Sequence, residues 1–362
     1  EADRLQNEIS RRKRGADAES EAGDADVVGE TLFELSDREH LVLGLVSADF
    51  RFLAALSVLV PVFVPRLTGA FGPEADLLLV FGPLVALGGL VAFWILSGFL
   101  QILRYYGFEL RQREDELRYE RGLLQRYSGS VPLSKVQTVS IQETVLARLA
   151  GYASVAIQTA GYAPGQDGSQ VESAVPIAKR DRALALARKV EPFGDLDFER
   201  PPTRARTRYA VRYALGLAVL TGLLWFARDV TGGLPFWYAP LAAVVVVPVA
   251  AHLKWKHLGY VADDEYVVTR RGFWRRQTIV VPYDRVQTVL SSQTIFQRRR
   301  RLGTLTVDTA GSGGFARGDA VALDIDAGVA EQLREDVAAR LQRALGHRER
   351  PARPATTAEV DD

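Results

Sequence analysis

The chain has 362 residues and almost balanced charge, with 45 lysines and arginines against 44 aspartates and glutamates. This balance argues against nucleic acid as a partner, since there is no net positive field to attract a polyanion. Cysteine is absent, which excludes disulfides, thiolate metal sites and a cysteine nucleophile. The hydrophobic residues, 48% of the total, fall in long blocks, and this distribution favours membrane-spanning segments.

Residues 1–40 predict an N-terminal tail followed by an acidic linker. Leu5 and Ile9 are spaced i, i+4, as in the last turns of an amphipathic helix. The stretch Asp17–Glu30 is acidic and nearly free of large apolar residues, so we expect it to be disordered. Because the chain begins with Glu1 and contains no methionine, we expect the natural product to extend upstream into a preceding domain.

Residues 41–104 predict a first transmembrane hairpin. Leu77–Leu103 is a long apolar run without a charged residue, which meets the length criterion for a spanning helix. Phe52–Val64 is shorter and contains Pro61, and a buried helix of a soluble core is the alternative for it. The connection Thr68–Pro73 contains two glycines and a proline, and it suits a tight turn between two spans.

Residues 105–194 predict a small polar domain made of short strands and one closing helix. The alternation of apolar and polar residues after Val136 predicts a central strand, and a short helix follows it at Val145–Ala150. The other predicted elements are strands at Gly107–Arg113, Glu116–Glu120, Tyr152–Thr159 and Glu172–Val175, and a helix at Lys179–Val190. This pattern predicts an antiparallel barrel or sheet closed by its C-terminal helix.

After a linker at 195–207 the chain repeats the same plan. Tyr209–Ala227 and Leu234–Leu253 predict a second hairpin within residues 208–254. Residues 255–346 predict a second polar domain, with an apolar stripe every four residues along the helix Val329–Leu345. The tail at 347–362 is expected to be disordered.

Short motifs show that the two halves are copies. Val131–Val139 recurs as Val281–Val289 with six of nine positions identical. The same offset of 150 residues relates Gly122 to Gly272 and Thr159–Gly161 to Thr309–Gly311. The chain is therefore a duplicated unit of membrane hairpin plus polar domain, and the fold class is an α+β membrane protein.

The repeated motif is itself a candidate site, but strand alternation explains it. It comprises Val136, Gln137 and Thr138 in the first copy and Val286, Gln287 and Thr288 in the second. Alternation predicts that the valines point into a core while Gln and Thr point outward. We therefore interpret the motif as structural.

This arrangement resembles the bacterial and archaeal pleckstrin-homology-like (PH-like) membrane proteins of the YdbS/YdbT type, bacterial PH type 2. The resemblance rests on the V-P-x-x-[KR]-V-Q-T-V block and on Arg148–Gly161, and it covers about residues 41–346. It implies two PH-like domains, each following a hairpin. The second copy departs at Gln297–Gly303, where the alignment of Gly303 with Gly151 leaves two fewer residues before Thr309.

Catalytic and metal-binding patterns are hard to find. The four histidines, at positions 40, 252, 257 and 347, are not spaced as metal ligands. Gly311–Gly314 is followed by no lysine, so we interpret it as a plain loop instead of a phosphate-binding one. The sequence therefore predicts no enzyme, no metal and no cofactor.

The strongest chemical signal is the arginine density of the second polar domain. Bidentate guanidinium groups beneath a bilayer suit anionic lipid headgroups, and the alternative is a solvated or topogenic charge run. The predicted lipid- or phosphate-binding residues are Arg270, Arg271, Arg275, Arg276, Arg298, Arg299, Arg300 and Arg301.

The charges next to the spans predict the orientation of the chain in the membrane. Arg104, Arg204 and Lys254 lie on one predicted side, and few basic residues flank the other, so both polar domains and both termini are expected to be cytoplasmic. We expect a plasma-membrane scaffold that binds lipid headgroups, other membrane proteins or itself, in envelope stress or antimicrobial resistance. The alternative is a component for transport or export of small solutes or lipids, but no carboxylate lies deep in a predicted span.

Overall fold

The computed structural model describes residues 30–46, 75–160, 171–231, 237–310 and 320–348. They form an α+β structure of apolar helices and antiparallel sheets of four, six and three strands. The predicted span at 52–64, residues 1–29 and 349–362 of the predicted tails, and the glycine-rich loop at 311–314 lie outside the described residues.

The first repeat begins with a strand that the sequence did not reveal. Strand β1 pairs with β2 and extends the first sheet on its outer edge. The elements are β1 (Glu30–Glu34), α1 (Asp37–Val46), α2 (Ala75–Tyr105), β2 (Glu109–Arg113), β3 (Glu116–Arg121), β4 (Tyr127–Pro132), β5 (Val136–Thr144), α3 (Val145–Ala150), β6 (Tyr152–Thr159), β7 (Val171–Lys179) and α4 (Arg180–Val190). We call β1 together with residues 105–194 the first head.

The second repeat follows the same order. Its elements are α5 (Arg204–Thr231), a 3-10 segment (Ala239–Val246), α6 (Val247–Lys256), β8 (Gly259–Ala262), β9 (Tyr266–Arg271), β10 (Arg275–Pro282), β11 (Val286–Ser292), α7 (Ile295–Arg298), β12 (Leu302–Thr309), β13 (Ala320–Asp326) and α8 (Ala327–Arg348). We call residues 255–346 the second head, and the end of each head next to its membrane helices its foot.

Three described helices are long and apolar enough to cross a membrane. They are Leu87–Tyr105, Arg204–Val230 and Ala239–Lys256. The last of these starts as a 3-10 helix and continues as α6. Pro240 in the 3-10 segment and Pro248 in the first turn of α6 cannot donate backbone hydrogen bonds. Helix α1 packs closely on α2, where a side chain on Gly98 would lie 2.5 Å from the Gly44 carbonyl oxygen.

The sheets are open, and the predicted closure into barrels is wrong for the described residues. Strand β4 pairs with β3 and not with β5, so the sheet of the first head does not close on itself. Instead β5 pairs antiparallel with β10 of the second head, from Thr144 opposite Arg275 to Val139 opposite Val280. This β5–β10 seam joins both heads into one six-stranded sheet in the order β7-β6-β5-β10-β9-β8.

The six-stranded sheet separates two hydrophobic cores. Val268 and Val280 belong to the core of the first head, whereas Val267, Ile279 and Val281 belong to the core of the second. Strands β9 and β10 are therefore buried on both faces and have continuous apolar runs. Their counterparts β3 and β4 bury only one face, and their sequences alternate.

Burial on both faces also changes the environment of the repeated motif. The prediction that its polar side chains point outward is wrong in the first copy, where Gln137 is 7% and Thr138 is 2% exposed. Thr138 donates a hydrogen bond to Gln158 at 3.0 Å, which satisfies its hydroxyl group. In the second copy Gln287 and Thr288 are exposed, because β11 is an edge strand among the described residues.

A buried charge cluster crosses the seam. Glu143 on β5 is 3% exposed and accepts a hydrogen bond from Arg276 Nε at 2.6 Å. Arg180 at the start of α4 lies 3.4 Å from its other carboxylate oxygen. The attraction between Glu143 and Arg276 offsets their desolvation only while both partners are present.

We predict that Glu143→Ala lowers the free energy of unfolding by about 3–5 kcal/mol, because it leaves Arg276 buried without its counter-charge. The matched control is Glu109→Ala, which removes a carboxylate paired with the half-exposed Arg111 and should cost at most about 1 kcal/mol. Thermal or denaturant unfolding of the purified protein measures both. Equal effects of the two substitutions would contradict the role of the seam.

A second carboxyl group at the contact between the heads gives a pH dependence. Burial, together with Asp284 and Glu265 of the second head, raises the pKa of Glu191 to about 7 against the opposing effect of Arg285. The folded protein therefore holds this proton more tightly than the unfolded chain does. The contribution of Glu191 to stability is greatest below about pH 4.5 and falls as the pH rises toward about 7.

We therefore predict that the melting temperature of the wild type falls relative to that of Glu191→Gln as the pH rises from 5 to 8. The substitution removes the titrating group and keeps the shape of the side chain. Melting curves of both proteins across this range measure the difference. Parallel pH dependences would show that Glu191 does not titrate differently in the folded protein.

Candidate anion-binding surface at the foot of the second head

The structure divides the predicted arginines into two groups. Arg270, Arg271, Arg275 and Arg276 lie on β9 and β10, at or next to the seam. Arg298, Arg299, Arg300 and Arg301 follow one another in and after α7, at the foot of the second head. The eight side chains therefore do not form one surface.

The first group is engaged within the protein. Arg276 pairs with Glu143, and Arg275 donates a hydrogen bond to Gln142 on β5. The guanidinium group of Arg270 lies 4.0 Å from the centroid of the Phe198 ring, and burial lowers its pKa to about 10. Arg271 donates to Gln277 at 3.4 Å. These contacts stabilise the sheet, and burial limits access of a ligand to Arg270 and Arg276.

The second group is positioned by a tight turn of helix. Thr294 caps α7 and forms a capping box with Gln297, which restrains the turn at its first residues. Arg301 ends the turn with φ of 51°, the left-handed conformation that Gly151 adopts with φ of 77° in the first head. The offset of 150 residues therefore continues through this region, and the predicted loss of two residues before Thr309 is wrong.

A buried carboxylate ties this turn to the membrane helix. Asp324 on β13 is 1% exposed and accepts hydrogen bonds from Arg208 at 2.6 Å and from Tyr209. Gln297 donates to the same carboxylate at 2.7 Å. Arg208 and Tyr209 lie on α5, so Asp324 joins the membrane helix, α7 and β13 at one point.

Contacts with the start of α5 place the arginine turn next to the membrane helices. Arg204 donates to the carbonyl oxygens of Arg300 and Arg301 at 2.8 and 3.0 Å. Leu302 is fully buried in a small apolar cluster with residues of α5 and α6, among them Tyr209 and Ala251. The turn is therefore held against the base of the second pair of membrane helices.

Exposed cationic and apolar side chains lie side by side at this position. Arg298, Arg299 and Arg301 are exposed, and Ile295 and Phe296 are 61% and 66% exposed. We call these five residues the α7 surface. Guanidinium groups can bind phosphate oxygens in a bidentate manner, and adjacent apolar side chains can enter the interfacial region of a bilayer.

The histidines and carboxylates of the described residues do not form a metal site. No group of three His, Asp or Glu side chains there could hold a metal ion. His257 lies at the end of α6 against the Phe273 ring, with ring centroids 5.4 Å apart. Burial, together with Arg148 and Arg276, lowers its pKa to about 4, so His257 is neutral at physiological pH.

We predict that Asp324→Asn lowers the free energy of unfolding by about 3–5 kcal/mol, because Arg208 stays largely buried and loses its counter-charge. Asp326→Asn is the matched control, since the side chain of Asp326 is half-exposed and its pair with Arg204 should contribute at most about 1 kcal/mol. Thermal unfolding measures both variants. If Asp326→Asn is as destabilising as Asp324→Asn, the buried Asp324 does not stabilise the contact between α5, α7 and β13 as described.

Comparisons with known proteins match both repeats to one family. The segments 50–193 and 214–347 match a family model described as bacterial PH domain, so each match includes predicted membrane residues and a head. The chain is 26% identical over 240 residues to UPF0699 transmembrane protein YdbT of Bacillus subtilis (strain 168), which covers 64% of this chain. The match spans 47% of that relative, less than half its length. No solved structure matches the chain.

Proposed function

Because the chain belongs to the bacterial PH domain family, we propose that it is a non-enzymatic membrane protein whose α7 surface binds anionic lipid headgroups. One observation carries the proposal: exposed cations and exposed apolar side chains occur together at the base of a membrane helix. A solvated charge run would not need Ile295 and Phe296 beside it.

The position of the surface supports lipid more than a soluble anion. Arg300 donates a hydrogen bond to Thr207, which lies one turn from the start of α5. Phosphate groups at the bilayer surface are therefore within reach of the neighbouring arginines. Each basic residue near an anionic leaflet contributes about 1 kcal/mol of attraction.

The proposed orientation follows from the same charges. Arg204, Arg206 and Arg208 at the start of α5 and Lys254 and Lys256 at the end of α6 form a basic collar at the foot of the second head. Basic collars remain on the cytoplasmic side of bacterial membranes. Both heads therefore face the cytoplasm in this proposal, where they are available to other membrane proteins as a scaffold.

We predict that Arg299→Gln with Arg301→Gly weakens phosphatidylglycerol binding by about 2 kcal/mol, or about 30-fold in dissociation constant. Glycine at position 301 suits the left-handed backbone, so the loss would not come from unfolding. The experiment titrates the purified full-length protein with fluorescent phosphatidylglycerol and, separately, with fluorescent phosphatidylcholine.

The matched control removes two charges elsewhere, with Lys135→Gln and Arg334→Gln. Lys135 follows β4 at the end of the first head away from its foot, and Arg334 is on α8. This control should keep the preference for phosphatidylglycerol. Equal binding of the two lipids by the wild type would overturn the proposal, as would an equal loss in both double variants.

A further inference from the structure

Each head has an edge strand that corresponds to one of the two strands of the β5–β10 seam. Strand β4 is an edge of the four-stranded sheet, and β11 is an edge of the three-stranded sheet. By the 150-residue offset, β4 is the counterpart of β10 and β11 is the counterpart of β5. Those counterparts pair with each other inside the chain. We call β5 and β11 the donor strands and β10 and β4 the acceptor strands. Among the described residues, β4 pairs only with β3 and β11 pairs only with β12, so one edge of each has no partner strand.

Neither edge has charged residues that would block pairing, and Pro132 at the end of β4 corresponds to Pro282 of β10, which lies beyond the paired residues of the seam. Edge strands of natural proteins are commonly blunted by charged residues that prevent pairing with another chain. Strand β4 reads Tyr-Ser-Gly-Ser-Val-Pro and β11 reads Val-Gln-Thr-Val-Leu-Ser-Ser, so neither contains a charge. Leu290 on β11 is 38% exposed, whereas its counterpart Ser140 on β5 is 5% exposed.

The short helix after each donor strand, α3 after β5 and α7 after β11, forms a corner, and the two corners show the same difference. In the β5–β10 seam, the backbone N–H of Val145 donates to the Trp274 carbonyl oxygen at 3.1 Å. Arg148 donates to the carbonyl oxygen of Phe273 at 3.2 Å, and its guanidinium group lies 5.5 Å from the centroid of that ring. The corresponding corner of the second head contains the exposed residues Ile295, Phe296 and Arg298.

The first head has a matching groove on the acceptor side. Backbone hydrogen bonds from Gly122 to Tyr106 and from Leu123 to Leu103 place this groove at the foot. Its lining includes Tyr106, Gly107, Glu120, Leu123, Arg126 and Tyr127. The counterparts of Leu123 and Arg126 are Phe273 and Arg276, which contact Arg148 and Glu143 in the seam. The groove therefore corresponds to the part of the second head that receives the chain after β5, but no such chain occupies it among the described residues.

The charges of the second pairing are also compatible. Glu143 and Arg270 in the seam correspond to Gln293 and Glu120 at the free ends. The carboxylate is therefore on the donor strand in the seam, whereas at the free ends it lies on β3, beside the acceptor strand β4. In the second pairing Glu120, which lines the same groove as Arg126, would supply the negative charge next to Arg126 and Arg298, the counterparts of Arg276 and Arg148.

We propose that β11 and the α7 corner of one copy dock on β4 and the foot groove of a second copy, head to tail in one membrane. Both heads have their membrane helices at the foot, so side-by-side pairing keeps every copy in the same bilayer. The seam register places Ser291 opposite Ser128, as Ile141 lies opposite Thr278. The partner is a second copy, and Ile295, Phe296 and Arg298 of the α7 surface contact it. Arg299 and Arg301 stay available to lipid, since Leu149, the counterpart of Arg299, is 79% exposed in the engaged seam.

The absence of cysteine makes the register directly testable. Ser128→Cys and Ser291→Cys are placed in separate, differently tagged full-length copies, and membranes containing both are oxidised. We expect a disulfide-linked dimer that carries both tags, and a ladder of higher species from the double variant. Each single variant alone should stay unlinked, because the contact joins unlike edges.

Three results would overturn the proposal. The first is no link between the two tagged copies, as expected if an upstream segment of the same polypeptide occupied β4. The second is a dimer from either single variant alone, which would indicate a symmetric contact of like edges. The third is equal linking when Ser128→Cys is replaced by Ser36→Cys, a position outside the proposed contact.

Two further substitutions test the α7 corner, and the double arginine variant separates this contact from the lipid-binding proposal. Phe296→Asp should reduce the linked fraction about tenfold, whereas Leu149→Asp, at a site 79% exposed in the engaged corner, should leave it unchanged. Arg299→Gln with Arg301→Gly should also leave the linked fraction unchanged while it weakens lipid binding. Equal linking with and without Phe296→Asp would contradict docking through the α7 corner.

Discussion

The pairing of β5 with β10 is the constraint on which the rest of the structure depends. It joins strands that lie more than a hundred residues apart into one sheet and places a core on each face of the second head's first strands. Without this contact Val268 and Val280 would be exposed to water, and Glu143 would lose its partner. The two heads therefore form one structural unit, although the sequence presents them as two copies of a module.

This unit has consequences for how the membrane helices are held. The first head is fixed to α2 through the turn after β3, and the second head is fixed to α5 through Asp324. Because the heads share a sheet, these attachment points are held relative to each other. The connection between the two feet therefore runs through packed strands as well as through the linker at 195–207.

Much of the fold could be predicted from the sequence, for physical reasons. Long apolar runs identified α2 and the second pair of membrane helices, although the run within α5 contains Arg212, and period-two alternation together with glycine turns identified most strands. Strand β1 was missed because Glu30–Glu34 follows an acidic stretch and has little apolar content. Barrel closure was predicted wrongly because alternation shows which face of a strand is buried but not which strand lies beside it.

One signal for the shared sheet was present in the sequence. Tyr266–Val268 and Ile279–Val281 are continuous apolar runs, whereas the counterparts in the first copy alternate, and such runs are typical of strands buried on both faces. The candidate site was harder to predict. Arginine density pointed to the second head, but only the structure separates Arg276, paired across the seam, from Arg299 at the exposed foot.

Hydrogen–deuterium exchange of the backbone amides tests the seam most directly. In the purified full-length protein, amides of β5 and β10 should be protected to the same degree as those of β6, which lies in the interior of the same sheet. That result would show that the two heads share one cooperative sheet. Exchange of β5 and β10 at the rate of an exposed strand edge, with β6 still protected, would contradict the account.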